Sequence, residues 1–305
     1  MGLPHDTWAL EKNIFDEVAF LKQAEDIQNE RKKIILGELK KFKYGLFFGY
    51  FGVTDTIQHM YWRFLDDSTS KYRNTILSYY QKVDEVVGEA IKTLRDRDVL
   101  IVLSDHGFAG YDYEVNINTW LKDNGYLILK DDDEVGKPLL ENVDWAKTRA
   151  YSMGYNGNFI NLKGREGEGI VSKKEVKNLE KELANKLLEM TNPYTGQKIM
   201  KKISTRKDLG IPEENTSAPD LFLGYYKGTR SSWDMAVGAA PKDIIVKRQS
   251  KWSGDHLFDP TEIPGVLFTN KKIKEESPNI VDVIPTVIRI LGLPDKKNLD
   301  GKDLF

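Results

Sequence analysis

The stretch YGLFFGYFGVTDTIQHMYWRF, residues 44–64, joins an apolar, aromatic run to a carboxylate and an imidazole four positions apart. Residues 44–51 are too short for a helix between their neighbours and have the composition of a buried parallel strand that ends before Thr54. If a helix starts there, Asp55 and His59 project from one face of it, over the carboxyl end of the strand. One divalent ion could take a ligand atom from each. The competing reading makes Thr54 or Asp55 the helix cap and His59 a packed histidine.

Downstream, Ile76, Tyr80, Val83, Val87, Ile91 and Leu94 mark a helical stripe within residues 72–97, which leads into a second apolar run, DVLIVLS, at 98–104. Strand, helix, strand predicts a βαβ unit in a parallel sheet covered on both faces, with ligands gathered outside the carboxyl ends of the strands. The second run ends in Asp105 and His106. Adjacent residues on a strand face opposite ways, so both reach one ion only where the strand gives way to a turn, which Gly107 permits. An ordinary strand-to-turn transition is the alternative. The βαβ pairing would bring Asp55, His59, Asp105 and His106 to one sheet edge, where mixed oxygen and nitrogen donors suit a pair of hard-to-borderline divalent cations.

Upstream, Phe15, Val18, Ala19, Ile27, Ile34, Ile35, Leu39 and Phe42 recur at roughly helical spacing, with Leu21 off the stripe, as one long amphipathic helix or two short ones. Further along, a hairpin or a pair of short strands is expected at 151–162 around Gly154 to Gly157, a solvated loop at 164–169, and a helix at 173–190 with Val176, Leu179, Leu183 and Leu187 on one side. Strands are expected at DLFLGYY and GVLFTN. A last helix at 282–291 is stopped by Gly292 and Pro294.

Composition narrows the function by exclusion. The chain of 305 residues has 40% hydrophobic and 30% charged residues, as in a soluble globular protein, and its formal net charge of −2 gives no reason to expect a nucleic-acid duplex or an anionic membrane as partner. It contains no cysteine, which removes disulfides and thiolate ligands and leaves histidine and carboxylate as metal donors. The four histidines stand at 5, 59, 106 and 256, each within four residues of an aspartate. His256 lies in the loop KWSGDHLFDP (251–260) and by itself is the weakest of the candidate ligands, while His5 reads as a loop residue. There is no leader-like N-terminus and no apolar run of about 18 residues, so the visible chain reads as cytoplasmic, although a longer parent could be exported.

The ordered set FFGYFGVTDTIQHMYWRF, VLIVLSDHGF, KWSGDH and NIVDVIPTVIRILGLPDKKNLDGKDL resembles the type I phosphodiesterase/nucleotide pyrophosphatase branch of the alkaline phosphatase superfamily. The likeness extends through VNINTWLKDNGYL and TRAYSMGYNGNFINLKGREGEG. It implies a three-layer α/β sandwich with a largely parallel central sheet, formed by residues 1–305 as a single partial domain with a cap-like insertion at about 112–250. It also implies hydrolysis of phosphodiester or phosphomonoester bonds in a small-molecule substrate, using two divalent ions, zinc first and manganese second. Asp55, His59 and His256 map onto one ion; Asp105 and His106 map onto half of the ligands of the other.

The family's remaining aspartate and its Thr or Ser nucleophile precede the first of these motifs, and this chain has no counterpart to them. Asp6 and Thr7 lack a preceding strand and a helix start. The resemblance therefore implies a C-terminal portion of an enzyme, with Met1 not a natural start, N-terminal strands missing, little activity alone, and self-association through an exposed sheet edge. A non-catalytic metal- or phosphate-binding module, and the sulfatase or phosphomutase branches, are the alternatives. Trp252 and Tyr61 are candidate substrate walls or packing residues.

Overall fold

A computed structural model of the chain describes residues 5–131, 136–294 and 299–305; Met1, whose status as a start was questioned, lies outside them. In chain order the helices and strands begin with α1 (Thr7–Glu11), α2 (Glu17–Lys41), α3 (Val53–Tyr61), α4 (Thr75–Ile91), β1 (Ile101–Leu103), β2 (Ala109–Val115) and α5 (Ile117–Asp123). They continue with β3 (Ala150–Met153), β4 (Gly157–Ile160), α6 (Val176–Leu188), β5 (Met200–Thr205), β6 (Leu221–Tyr225), β7 (Gly228–Ser231) and α7 (Trp233–Ala236). Last come β8 (Ile245–Lys247), β9 (Gly254–Asp255), β10 (Leu267–Thr269) and α8 (Val283–Ile290). The result is a mixed α/β protein in two compact units. Met1–Phe108, Ser250–Gly254 and Pro264–Phe305 form the first, and Ala109–Gln249 with Asp255–Ile263 the second.

The first unit is built on three helices. Residues 17–41 form one continuous helix, capped by Asp16, whose carboxylate accepts from the Ala19 amide at 2.7 Å. Its buried face is Phe20, Ala24, Ile27 and Gln28, while Val18 and Ile34 are exposed, so the stripe drawn from sequence is rotated off the true one and Leu21 packs against the core after all. On α4 the buried residues are Thr75, Ile76, Tyr79 and Val86, with Tyr80 exposed, again a step away from the expected stripe. Val53, Ile57, Met60 and Tyr61 of α3 fill the space between these helices. That stripe leaves Asp55 and His59 on another side of α3.

Two expectations about strands are corrected here. Residues 44–51 are not a buried strand: no strand is assigned there, and Tyr44 and Phe48 are 89% and 79% exposed. A strand exists through the hydrogen bonds of a neighbour, and none of the described strands pairs with this run. The second run does form β1, but it pairs antiparallel with β10, with Val102 opposite Phe268, so no parallel βαβ unit joins it to the first. Apolar composition sets the tendency to extend; it does not set the direction of the partner.

In the second unit, β2 is flanked by β7, running parallel, and β8, running antiparallel. A second, antiparallel sheet has the order β3-β4-β6-β5, in which β3 and β4 are the expected hairpin. Leu179, Leu183 and Leu187 of α6 are buried as their spacing requires. The last helix, α8, ends as expected before Gly292, whose φ of 64° is in the left-handed region.

Candidate metal centre

Helix α3 starts at Val53 with Gly52 as its N-cap, so neither Thr54 nor Asp55 serves as the cap. Asp55 instead stands one turn before His59, and its Oδ1 is 3.4 Å from His59 Nε2. The imidazole is held from three sides. Its Nδ1 lies 2.8 Å from the Gly254 carbonyl oxygen, which can only accept, so Nδ1 donates there and Nε2 is the ring nitrogen directed at Asp55. Trp252 stacks on the ring at a centroid distance of 3.7 Å, and Phe108 meets it edge-on at 4.7 Å. His59 is 3% exposed.

His106 follows the same pattern. Its Nδ1 is 2.9 Å from the Gly107 carbonyl, which leaves Nε2 3.9 Å from the same Asp55 Oδ1 and 3.6 Å from Asp105 Oδ2. The turn after β1 brings His106 near both the Asp105 carboxylate and the Asp55 carboxylate of α3. The parallel βαβ edge expected to gather these residues is not formed, since β1 pairs antiparallel with β10.

Of the three nitrogen-to-oxygen separations, 3.6 and 3.9 Å exceed hydrogen-bonding distance and 3.4 Å lies at its outer limit. Two donors at about 2.0–2.1 Å from a tetrahedral ion are about 3.3 Å apart, so the 3.4 Å spacing of Asp55 and His59 suits two ligands of one cation. Two carboxylates and two imidazoles also match the donor preference of a divalent ion. The residues present therefore fit the group that the sequence implies. His256 follows two residues after Gly254, whose carbonyl holds His59.

The other sequence candidates fall elsewhere. His5 is partly buried beside α3, its Nδ1 3.2 Å from Thr56 Oγ1. Burial, and then the Arg31 guanidinium, hold His5 below the usual imidazole range against the opposing pull of Asp55. Asp6 and Thr7 do make a helix start, contrary to expectation, since the Asp6 carboxylate accepts from Ala9 N at 2.8 Å, but α1 is a single five-residue turn. Tyr61 is a packing residue, 1% exposed, whose hydroxyl donates to the Glu17 carbonyl. Trp252 forms a wall of His59. Sequence reasoning missed the roles of Gly254 and Phe108. Their signal was adjacency to a candidate ligand, in SGDH and DHGF.

The model of the family described as type I phosphodiesterase/nucleotide pyrophosphatase matches residues 4–236, more than half of the chain. The chain belongs to that family of hydrolases, and its mixed α/β architecture is consistent with the family's alkaline-phosphatase-like fold. No curated protein matches the chain. Among the described residues, no helix is long and apolar enough to cross a membrane.

Proposed function

We propose that this chain holds divalent ions for the hydrolysis of a small-molecule phosphoester. The observation that carries the reading is the convergence of His59 Nε2 and His106 Nε2 on one oxygen of Asp55, at 3.4 and 3.9 Å, with both Nδ1 protons engaged by backbone carbonyls. Asp55, His59 and His256 would hold one ion. His256 is tethered to the site because its Cα can lie no more than about 7.6 Å from that of Gly254. Asp105 and His106 would contribute to a second ion, zinc or manganese being suited to either position.

Bound there, the ions would polarise a phosphoryl oxygen and ease deprotonation of an attacking hydroxyl. The chain's own residues orient both imidazoles through backbone carbonyls at Nδ1, and Trp252 and Phe108 pack against the His59 ring. Tyr44, Leu46, Phe48 and Tyr50, exposed at alternate positions, would pair a second copy of the chain. The test is metal analysis of the purified chain, together with hydrolysis of bis(p-nitrophenyl) phosphate. About one tightly bound ion is expected, lost with His59→Ala along with the hydrolysis. An unchanged metal count in that variant would overturn the assignment.

A further inference from the structure

The second unit buries an arginine completely, and neither the core nor the metal donors account for it. Arg230, on β7, is 0% exposed. The parallel register of β2 and β7 sets it opposite Glu114, whose Oε1 accepts from Arg230 Nη2 at 2.9 Å. The other arm of the guanidinium, Nη1, donates to Asp255 Oδ2 at 3.0 Å. Asp255 is itself 2% exposed. Tyr111 and Trp233 face the guanidinium at 4.7 and 4.5 Å from their ring centroids.

A cation is expensive to bury, and two carboxylates with two ring faces are the means by which this one is kept. The planar fork of arginine suits the geometry because its two arms reach two different acids.

What the arginine holds is informative. Asp255 uses its second oxygen, Oδ1, to accept from the backbone amides of His256 at 2.7 Å and Leu257 at 3.2 Å. An aspartate that accepts from amides one and two positions ahead fixes the course of the backbone across the intervening residue. That residue is His256. With Oδ2 tied to a buried arginine, the carboxylate cannot rotate away, and the turn it makes is as rigid as the β2–β7 ladder behind it.

We propose that Arg230 and Asp255 are positioning residues for the metal centre: the guanidinium locks the Asp255 carboxylate, and the carboxylate fixes the backbone from which His256 reaches the ion. The proposal rests on the reading of His256 as a ligand. Residues that orient a ligand from behind it typically change metal affinity by about 10–100-fold when altered. Asp255→Asn keeps an oxygen for the amides but turns an amide donor toward Arg230, and leaves Arg230 paired with Glu114. Arg230→Lys keeps the charge but can serve only one acid at a time.

The experiment measures Zn²⁺ affinity of the full chain by competition with a chromogenic chelator, with thermal melting to confirm folding. Variants are Asp255→Asn, Arg230→Lys, His256→Ala and Asp255→Asn/His256→Ala. Each of the first two is expected to lose about 10–100-fold in affinity, and Asp255→Asn to add nothing once His256 is gone. Hydrogen exchange at the His256 amide should accelerate in both. Wild-type affinity in Asp255→Asn and Arg230→Lys, with a loss in His256→Ala, would overturn the positioning role alone. Wild-type affinity in His256→Ala would instead remove His256 from the centre, and the proposal with it. Should Arg230→Lys fail to fold, Asp255→Asn decides the outcome by the same readings.

Discussion

Replacing Gly254 by alanine probes the link between packing and the metal centre. A Cβ at this position would stand 2.7 Å from the Gln58 carbonyl oxygen, 2.9 Å from Phe108 Cε1 and 3.0 Å from Trp62 Cβ. The first of these is backbone of α3, one residue before His59, and it cannot swing aside as a long side chain would. Relief requires the 250–254 segment to move off the helix, which lengthens the 2.8 Å contact between the Gly254 carbonyl and His59 Nδ1. Overpacking of this kind costs about 1–3 kcal/mol, and the weakened hydrogen bond about 1 kcal/mol more. The sum is about 2–4 kcal/mol. Domains of 150–250 residues lose about 2–4 °C in melting temperature per kcal/mol, so a drop of several degrees is expected. Zinc affinity should fall by about 10–100-fold, because the carbonyl that orients His59 has moved. Gly167→Ala is the control, since a Cβ there meets nothing within 4 Å. Thermal melting and chelator competition on the two variants check the prediction. Wild-type melting and affinity in Gly254→Ala would refute the argument that close approach of this glycine holds the imidazole.

Other perturbations follow from the same structure. Gly37 in α2 and Gly88 in α4 also have nothing within 4 Å of a built Cβ, so alanine at either should stabilise the chain by about 0.5–1 kcal/mol, read by denaturant melts. Asp16→Ala removes the acceptor for the Ala19 amide and should cost about 0.5–2 kcal/mol in the same assay. Phe48→Lys, at a side chain 79% exposed, should leave stability within about 0.5 kcal/mol and reduce self-association in sedimentation. Equal association of variant and wild type would exclude this run as the contact.

What could be read in the sequence depended on the range of the interaction. The Asp55–His59 pair was legible because four residues on a helix fix a shared face whatever the surroundings. The turn at Asp105 to Gly107 was legible because glycine freedom is local. The 44–51 run was not, since its apolar composition speaks of extension but a strand also needs a hydrogen-bonding neighbour. The antiparallel partner of β1 lies more than 160 residues further on, at Leu267–Thr269, beyond the reach of periodicity. The stripes of α2 and α4 went astray because several apolar positions compete for burial, and tertiary contacts chose Tyr79 over Tyr80. Arg230 and Asp255 gave no signal at all, because an arginine on a strand reads as solvent-facing until its two acids are brought to it.

The central claim is that Asp55, His59 and His256 coordinate one ion. Anomalous diffraction at the zinc absorption edge from crystals of the zinc-loaded chain tests it most directly. The account predicts a peak about 2.0–2.2 Å from Asp55 Oδ1 and His59 Nε2, with a His256 nitrogen at the same range. A zinc-loaded crystal with no peak among these three residues, or with His59 Nε2 turned away from the ion, would contradict it.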